Sequence, residues 1–234
     1  MIAFLFLISQ YFCEEQKNVL LTYFSYTNTT KILAESIANQ IRESSNNKLN
    51  LTVQQLHVES IPLGWKQSLG LYWNSFRGKD SMHVKELNQD LTSYDAVMVG
   101  APVWWYGTAC PVIHWAQTAK IDHLRTKFFF FNMAGGSGNE RAFTHLASTM
   151  HVTPLETLGI TTKTTSPDFL VAQYVNNCLK QLGALSASPL NSQGDKAGEE
   201  SNEIKNELKK GVEQSKKQIK ETFKADPSGK TEEL

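Results

Sequence analysis

The feature that most constrains this chain is an alternation. Buried-strand patterns and helix patterns follow one another five times between residues 17 and 182. Strands are expected at 17–24, 49–56, 94–100, 127–132 and, more weakly patterned, 154–160. Each is a short run of β-branched, leucine or aromatic residues, and the fourth carries the consecutive phenylalanines Phe128–Phe131. Helices are expected at 30–42, 109–120, 140–150 and 167–182. In the first, Ile32, Leu33, Ile37 and Ile41 recur at helical spacing. The second has Pro111 in its first turn, where a missing N–H costs nothing. The stretch 63–77 is mixed, and reads as a helix or a packed connection. Strands and helices at this rhythm predict a parallel, doubly wound sheet covered on both faces. In such a sheet a ligand binds beyond the carboxyl ends of the strands, where the strand order reverses. That directs attention to Ser25–Thr30, Ala101–Pro111 and Met133–Asn139.

The first of these segments, Ser25-Tyr26-Thr27-Asn28-Thr29-Thr30, is rich in hydroxyls and lies where a strand ends and a helix begins. Helix-terminal N–H groups, the positive end of the helix dipole and several O–H donors converge there, a combination suited to phosphate. The plainer reading of the same residues is an ordinary helix cap. The second segment carries Trp104, Trp105 and Tyr106, whose planes could stack on a flat ligand or simply cover the sheet. The third, Ala134-Gly135-Gly136-Ser137-Gly138, opens the backbone to close approach.

Other chemistries find no support. Lys+Arg and Asp+Glu number 23 each, so no basic excess invites nucleic acid. Cys13, Cys110 and Cys178 are too scattered for a disulfide framework or a metal pair, and the six histidines lack zinc spacing. No dinucleotide fingerprint, Walker lysine or nucleophile elbow is present. Cys110 beside the aromatic segment, and His145 and His151 after the glycine segment, are candidate reactive groups whose commoner role is packing or surface.

At this point the three segments together resemble the flavodoxin family. The stretch from Phe24 to Lys31 is similar to its phosphate loop, the run from Tyr94 to Gly107 to its third strand and first flavin-ring loop, and Asn132 to Gly138 to its second ring loop. The resemblance covers about residues 18–182. It implies a flavodoxin-like α/β fold with a five-stranded parallel sheet in the order 2-1-3-4-5 and helices on both faces. It also implies non-covalent FMN. The cofactor-binding residues carried over are Ser25, Tyr26, Thr27, Asn28, Thr29 and Thr30; Pro102, Val103, Trp104, Trp105, Tyr106 and Gly107; and Ala134, Gly135, Gly136, Ser137 and Gly138. Asn28 stands where the family commonly has glycine, and asparagine tolerates the left-handed turn required. Lys31 is expected to point outward, and Gly107 to be a place where a peptide can flip. The second ring loop lacks the aromatic residue of many flavodoxins. That absence and the neutral charge favour an open flavin face over an acidic carrier. The implied function is redox chemistry, with a redox protein or a small quinone-like molecule as partner. The alternative is a binding or regulatory module that keeps the fold without turnover.

Three organisational expectations complete the reading. Residues 1–16 form an apolar segment with the length of a signal-peptide core but no basic start. They also offer, with the tail, the chain's route to membrane contact. Residues 17–186 form the globular domain. Residues 187–234 form a polar tail with a thin amphipathic helix at 198–224, ending in Thr231-Glu232-Glu233-Leu234, a degenerate retention-like sequence. Location is open between cytoplasm and secretory pathway. Asn28 and Asn50 lie in glycosylation sequons, and a glycan on Asn28 would occupy the phosphate loop.

Overall fold

A computed structural model describes residues 16–58, 84–86 and 88–185. The N-terminal apolar segment, most of the mixed stretch after the second strand, including 63–77, and the tail helix expected at 198–224 lie outside the described residues.

Strand β1 (Lys17–Tyr23) leads into helix α1 (Thr29–Ser44) and strand β2 (Leu49–Gln55). Strand β3 (Ala96–Trp104) turns back through β4 (Gly107–Thr108) into α2 (Cys110–Thr118). Then come β5 (Lys127–Ala134), α3 (Asn139–Met150), β6 (Glu156–Thr161) and α4 (Pro167–Leu182). The sheet runs β2-β1-β3-β5-β6. Along that path every pairing is parallel. These are the five expected strands in the expected order, and β4 is an unforeseen sixth that pairs antiparallel with the end of β3.

Period-two alternation sorts the central strands β1, β3 and β5 between two cores. Val19, Leu21 and Tyr23 of β1 pack with α1 and α4 on one face. Leu20 and Phe24 pack with α2 and α3 on the other. The four phenylalanines divide the same way: Phe129 and Phe131 fill the first core, Phe128 and Phe130 the second. Each is almost wholly buried, which stabilises the fold by roughly 1.5–3 kcal/mol per ring.

Local signals set the element ends. Helix α4 begins at Pro167 and stops at Gly183, whose left-handed conformation (φ 67°) closes the cap. Two isolated backbone bridges, Val58–Val84 and Asp90–Lys120, supplement the sheet. Val58 and Val84 form an antiparallel bridge at the carboxyl side of β2, next to the bond from the Lys85 N–H to the His57 carbonyl (2.9 Å). Glu86 accepts both the His57 N–H (2.9 Å) and contact from its Nδ1 (2.8 Å). Burial alone would raise the Glu86 carboxyl, but these His57 hydrogen bonds outweigh it and hold the group below its ordinary value.

Candidate functional site

Strands β1, β3 and β5 are neighbours, so their carboxyl ends deliver three loops to one edge of the sheet. Tyr23 is in register with Gly100, and Pro102 with Met133. The reversal of strand order falls between β1 and β3, the position at which doubly wound sheets bind ligands.

The first loop is built around Asn28. It caps α1 with φ 63°, the left-handed conformation expected of a residue standing in for glycine. Its carbonyl accepts the Ile32 N–H at 2.9 Å. Ser25 Oγ accepts the Lys31 N–H at 3.2 Å, which folds the loop over the helix start. The Thr29 and Thr30 N–H groups precede the first intrahelical bond and have no acceptor among the described residues. Thr27 and Thr29 place their hydroxyls 3.4 Å apart. Thr30 is fully buried, and its Oγ1 has no hydrogen-bond partner among the described residues. Unused donors at a helix N-terminus suit an anion held by neutral groups. Lys31 does not add to them: its ammonium turns to Glu35, 3.8 Å away and half-exposed.

The second loop differs from expectation. Strand β3 runs on through Ala101, Pro102, Val103 and Trp104, so the expected loop residues Pro102 and Val103 are strand residues. Trp104 opposes Gly107 in the antiparallel pairing. A tight turn of Trp105 (φ 45°) and Tyr106 (φ 64°) joins them. Two consecutive positive φ values suit a two-residue hairpin, but that turn ordinarily takes Asn-Gly. Bulky residues there cost on the order of 1–3 kcal/mol each, a strain typical of functional sites. Gly107 itself is buried in the pairing, so the backbone strain sits at Trp105 and Tyr106 rather than at the glycine. The two tryptophans differ in burial. Trp104 packs on the second core and meets Phe24 (5.9 Å, 88°) and Tyr26 (6.2 Å, 89°) edge-on, joining the first loop to the second. Trp105 and Tyr106 stay about half-exposed, at 49% and 53%.

In the third loop Ala134 is the buried last residue of β5, and Gly135, Gly136 and Ser137 are exposed. Among the described residues, a β-carbon on Gly135 or Gly136 would meet nothing within 4 Å, and neither glycine has a left-handed φ. The fold therefore does not require glycine at either position, and the open backbone is free for a ligand. Gly138 is different: it caps α3 with φ 102°, and a β-carbon there would stand 2.8 Å from the Tyr106 Cα.

Several supporting residues were not among the cofactor-binding residues expected from sequence. Asn132 Nδ2 donates to the Asn139 carbonyl (3.1 Å), bracing the two ends of the glycine loop. Thr162 Oγ1 donates to the Gly135 carbonyl (2.6 Å), and Thr108 Oγ1 to the Ala142 carbonyl (2.7 Å). The hydroxyl-rich run from Thr161 to Ser166 was the available signal for Thr162. The histidines contribute less than their sequence positions suggest. His151 caps the far end of the 12-residue helix α3, roughly 18 Å along the axis from its start. His145 lies mid-helix, where burial, followed by Arg141, lowers its pKa. Cys110 is fully buried at the start of α2.

Comparison with known proteins agrees with this architecture. The family profile described as flavodoxin matches residues 18–178. A provisionally named flavoprotein from Bacteroides uniformis is 17% identical, with a TM-score of 0.53, covering 69% of this chain and 99% of its own. One from Bacteroides eggerthii is 18% identical, with a TM-score of 0.52, covering 72% and 99%. A flavoprotein from Lactobacillus acidophilus in complex with FMN is 16% identical, with a TM-score of 0.46, covering 68% and 98%. No curated protein matches.

Proposed function

This chain belongs to the flavodoxin family, and on that premise we propose that it is an FMN-dependent oxidoreductase. One observation carries the reading: three adjacent strands bring a helix start with unused donors, an aromatic hairpin and an open glycine loop to the same sheet edge. These match the three parts of FMN, a terminal phosphate, a planar ring and a polar ring edge.

Ser25, Thr27, Thr29 and Thr30, with the N–H groups at the start of α1, would hold the phosphate. A dianion suits this place because the donors are neutral and the helix dipole points its positive end there. Trp104 and Tyr26, with the exposed Trp105 and Tyr106, would supply the aromatic side of the ring site. The Ala134–Gly138 backbone would offer N–H groups to the polar ring edge. FMN supplies reversible transfer of one or two electrons, and the protein supplies binding, orientation and tuning.

The exposed Gly135–Ser137 segment contains no aromatic residue, and the chain has formal net charge +0. Both features favour a reductase with a small substrate over a carrier steered by acidic charge to protein partners. The net reaction proposed is oxidation of NAD(P)H by a quinone-like acceptor, giving the hydroquinone with uptake of one proton.

The test is titration of purified protein with FMN, followed by NAD(P)H oxidation assays with and without a quinone. Stoichiometric binding with quinone-dependent turnover is the expected result. Binding without turnover would favour the carrier, and a protein that takes up no FMN would leave only a fold-derived binding module.

A further inference from the structure

Thr108 lies just beyond the strained turn and is 2% exposed. Its Oγ1 donates to the Ala142 carbonyl at 2.7 Å, across 34 residues of sequence. Ala142 is in the first turns of α3, where its own N–H donates to the Gly138 carbonyl at 3.0 Å. Gly138 in turn packs directly on Tyr106. Two residues of the hairpin, Tyr106 and Thr108, thus grip two residues one turn apart on the helix, Gly138 and Ala142. Four helical residues advance about 6 Å, close to the two-residue span of an extended arm at about 3.3 Å per residue. Attachment at two points fixes direction as well as place.

The hydroxyl is not required for packing. Valine would fill the same volume without burying a polar group, and a helical carbonyl already has an intrahelical acceptor role. What the hydroxyl adds is a directional link between the aromatic hairpin and the helix that follows the glycine loop. We infer that Thr108 is a positioning residue, which sets the pose of the Trp105–Tyr106 turn against the glycine loop and so shapes the ligand site. The inference rests on the FMN reading above. It adds a residue that is not among the expected cofactor-binding residues and a coupling between two of the ligand loops.

The experiment compares wild type, Thr108→Val and Thr108→Ser in three measurements: FMN affinity by fluorescence titration, visible circular dichroism of the bound flavin, and thermal unfolding of the apoprotein. Thr108→Val should weaken FMN by about five-fold, the equivalent of one net hydrogen bond, and change the flavin dichroism. Thr108→Ser should restore both. If Thr108→Val does not fold, Thr108→Ala takes its place in the same comparison. A lower apoprotein unfolding temperature with unchanged affinity and dichroism would show a purely structural role and overturn the inference. So would a serine variant that behaves like valine. Wild-type protein that binds no FMN would overturn the cofactor reading itself, an outcome distinct from variants that bind as wild type does.

Discussion

Gly138 and Tyr106 approach so closely that a methyl group on the glycine would lie 2.8 Å from the tyrosine Cα. The clash is with backbone, which cannot rotate away. Gly138 also holds φ 102°, a conformation that side chains resist. Gly138→Ala should therefore destabilise the fold by about 3 kcal/mol, from overpacking and strain together. Chemical denaturation measures it, and a loss below about 1 kcal/mol would mean the hairpin can yield.

Gly135 and Gly136 should respond in the opposite way. With open space around each absent β-carbon and no left-handed φ, alanine is tolerated and restricts the unfolded chain. Stability should hold or rise by up to about 1 kcal/mol, while FMN affinity falls as the added methyl stands between ligand and backbone. Unchanged affinity in both variants would remove this loop from the proposed site.

Asn28 tests the start of α1. At φ 63° glycine is at ease, asparagine tolerable and alanine strained. Asn28→Gly should keep stability within about 0.5 kcal/mol, whereas Asn28→Ala should cost about 1 kcal/mol. Both changes remove the sequon. Urea unfolding of the two variants ranks them, and equal losses would count against the left-handed cap.

Asp95 governs an acid-sensitive contact at the amino edge of the sheet. Its Oδ2 accepts the Asn18 N–H (2.8 Å) and its Oδ1 accepts Arg125 Nη2 (3.2 Å). Burial alone would raise this carboxyl, but the Asn18 and Arg125 interactions outweigh it and leave the group below its ordinary value of 3.8. A depressed carboxyl contributes stability that is fully present above the unfolded value and is lost as pH falls through the folded one. Wild type should thus lose stability below about pH 4, and Asp95→Asn should show a shallower acid limb and about 1 kcal/mol less stability at pH 7. Thermal unfolding between pH 2 and 7 reads both, and parallel curves would exclude Asp95 as a contributor.

Much of this architecture was legible from local chemistry. Pro167 and Gly183 mark both ends of α4, and the alternation from Val19 to Phe24 announces a strand buried on two faces. The hydroxyl-rich turn could be located for the same reason, since a strand and a helix frame it. The hairpin could not. Its turn is Trp105-Tyr106, where sequence rules look for Asn-Gly, and its conformation depends on Thr108 reaching Ala142 and on Gly138 making room. Those are contacts between residues more than 30 apart, which periodicity does not report. The end of β3 was placed too early for a related reason: Pro102 looks like a stop, yet it remains in register with Met133 while its carbonyl accepts the Ala109 N–H (3.2 Å).

The Val58–Val84 bridge makes the flank of the sheet beside β2 depend on a contact between residues far apart in sequence. Closing so long a span costs chain entropy that grows only slowly with its length, so this pairing fixes where the backbone re-enters beside β2.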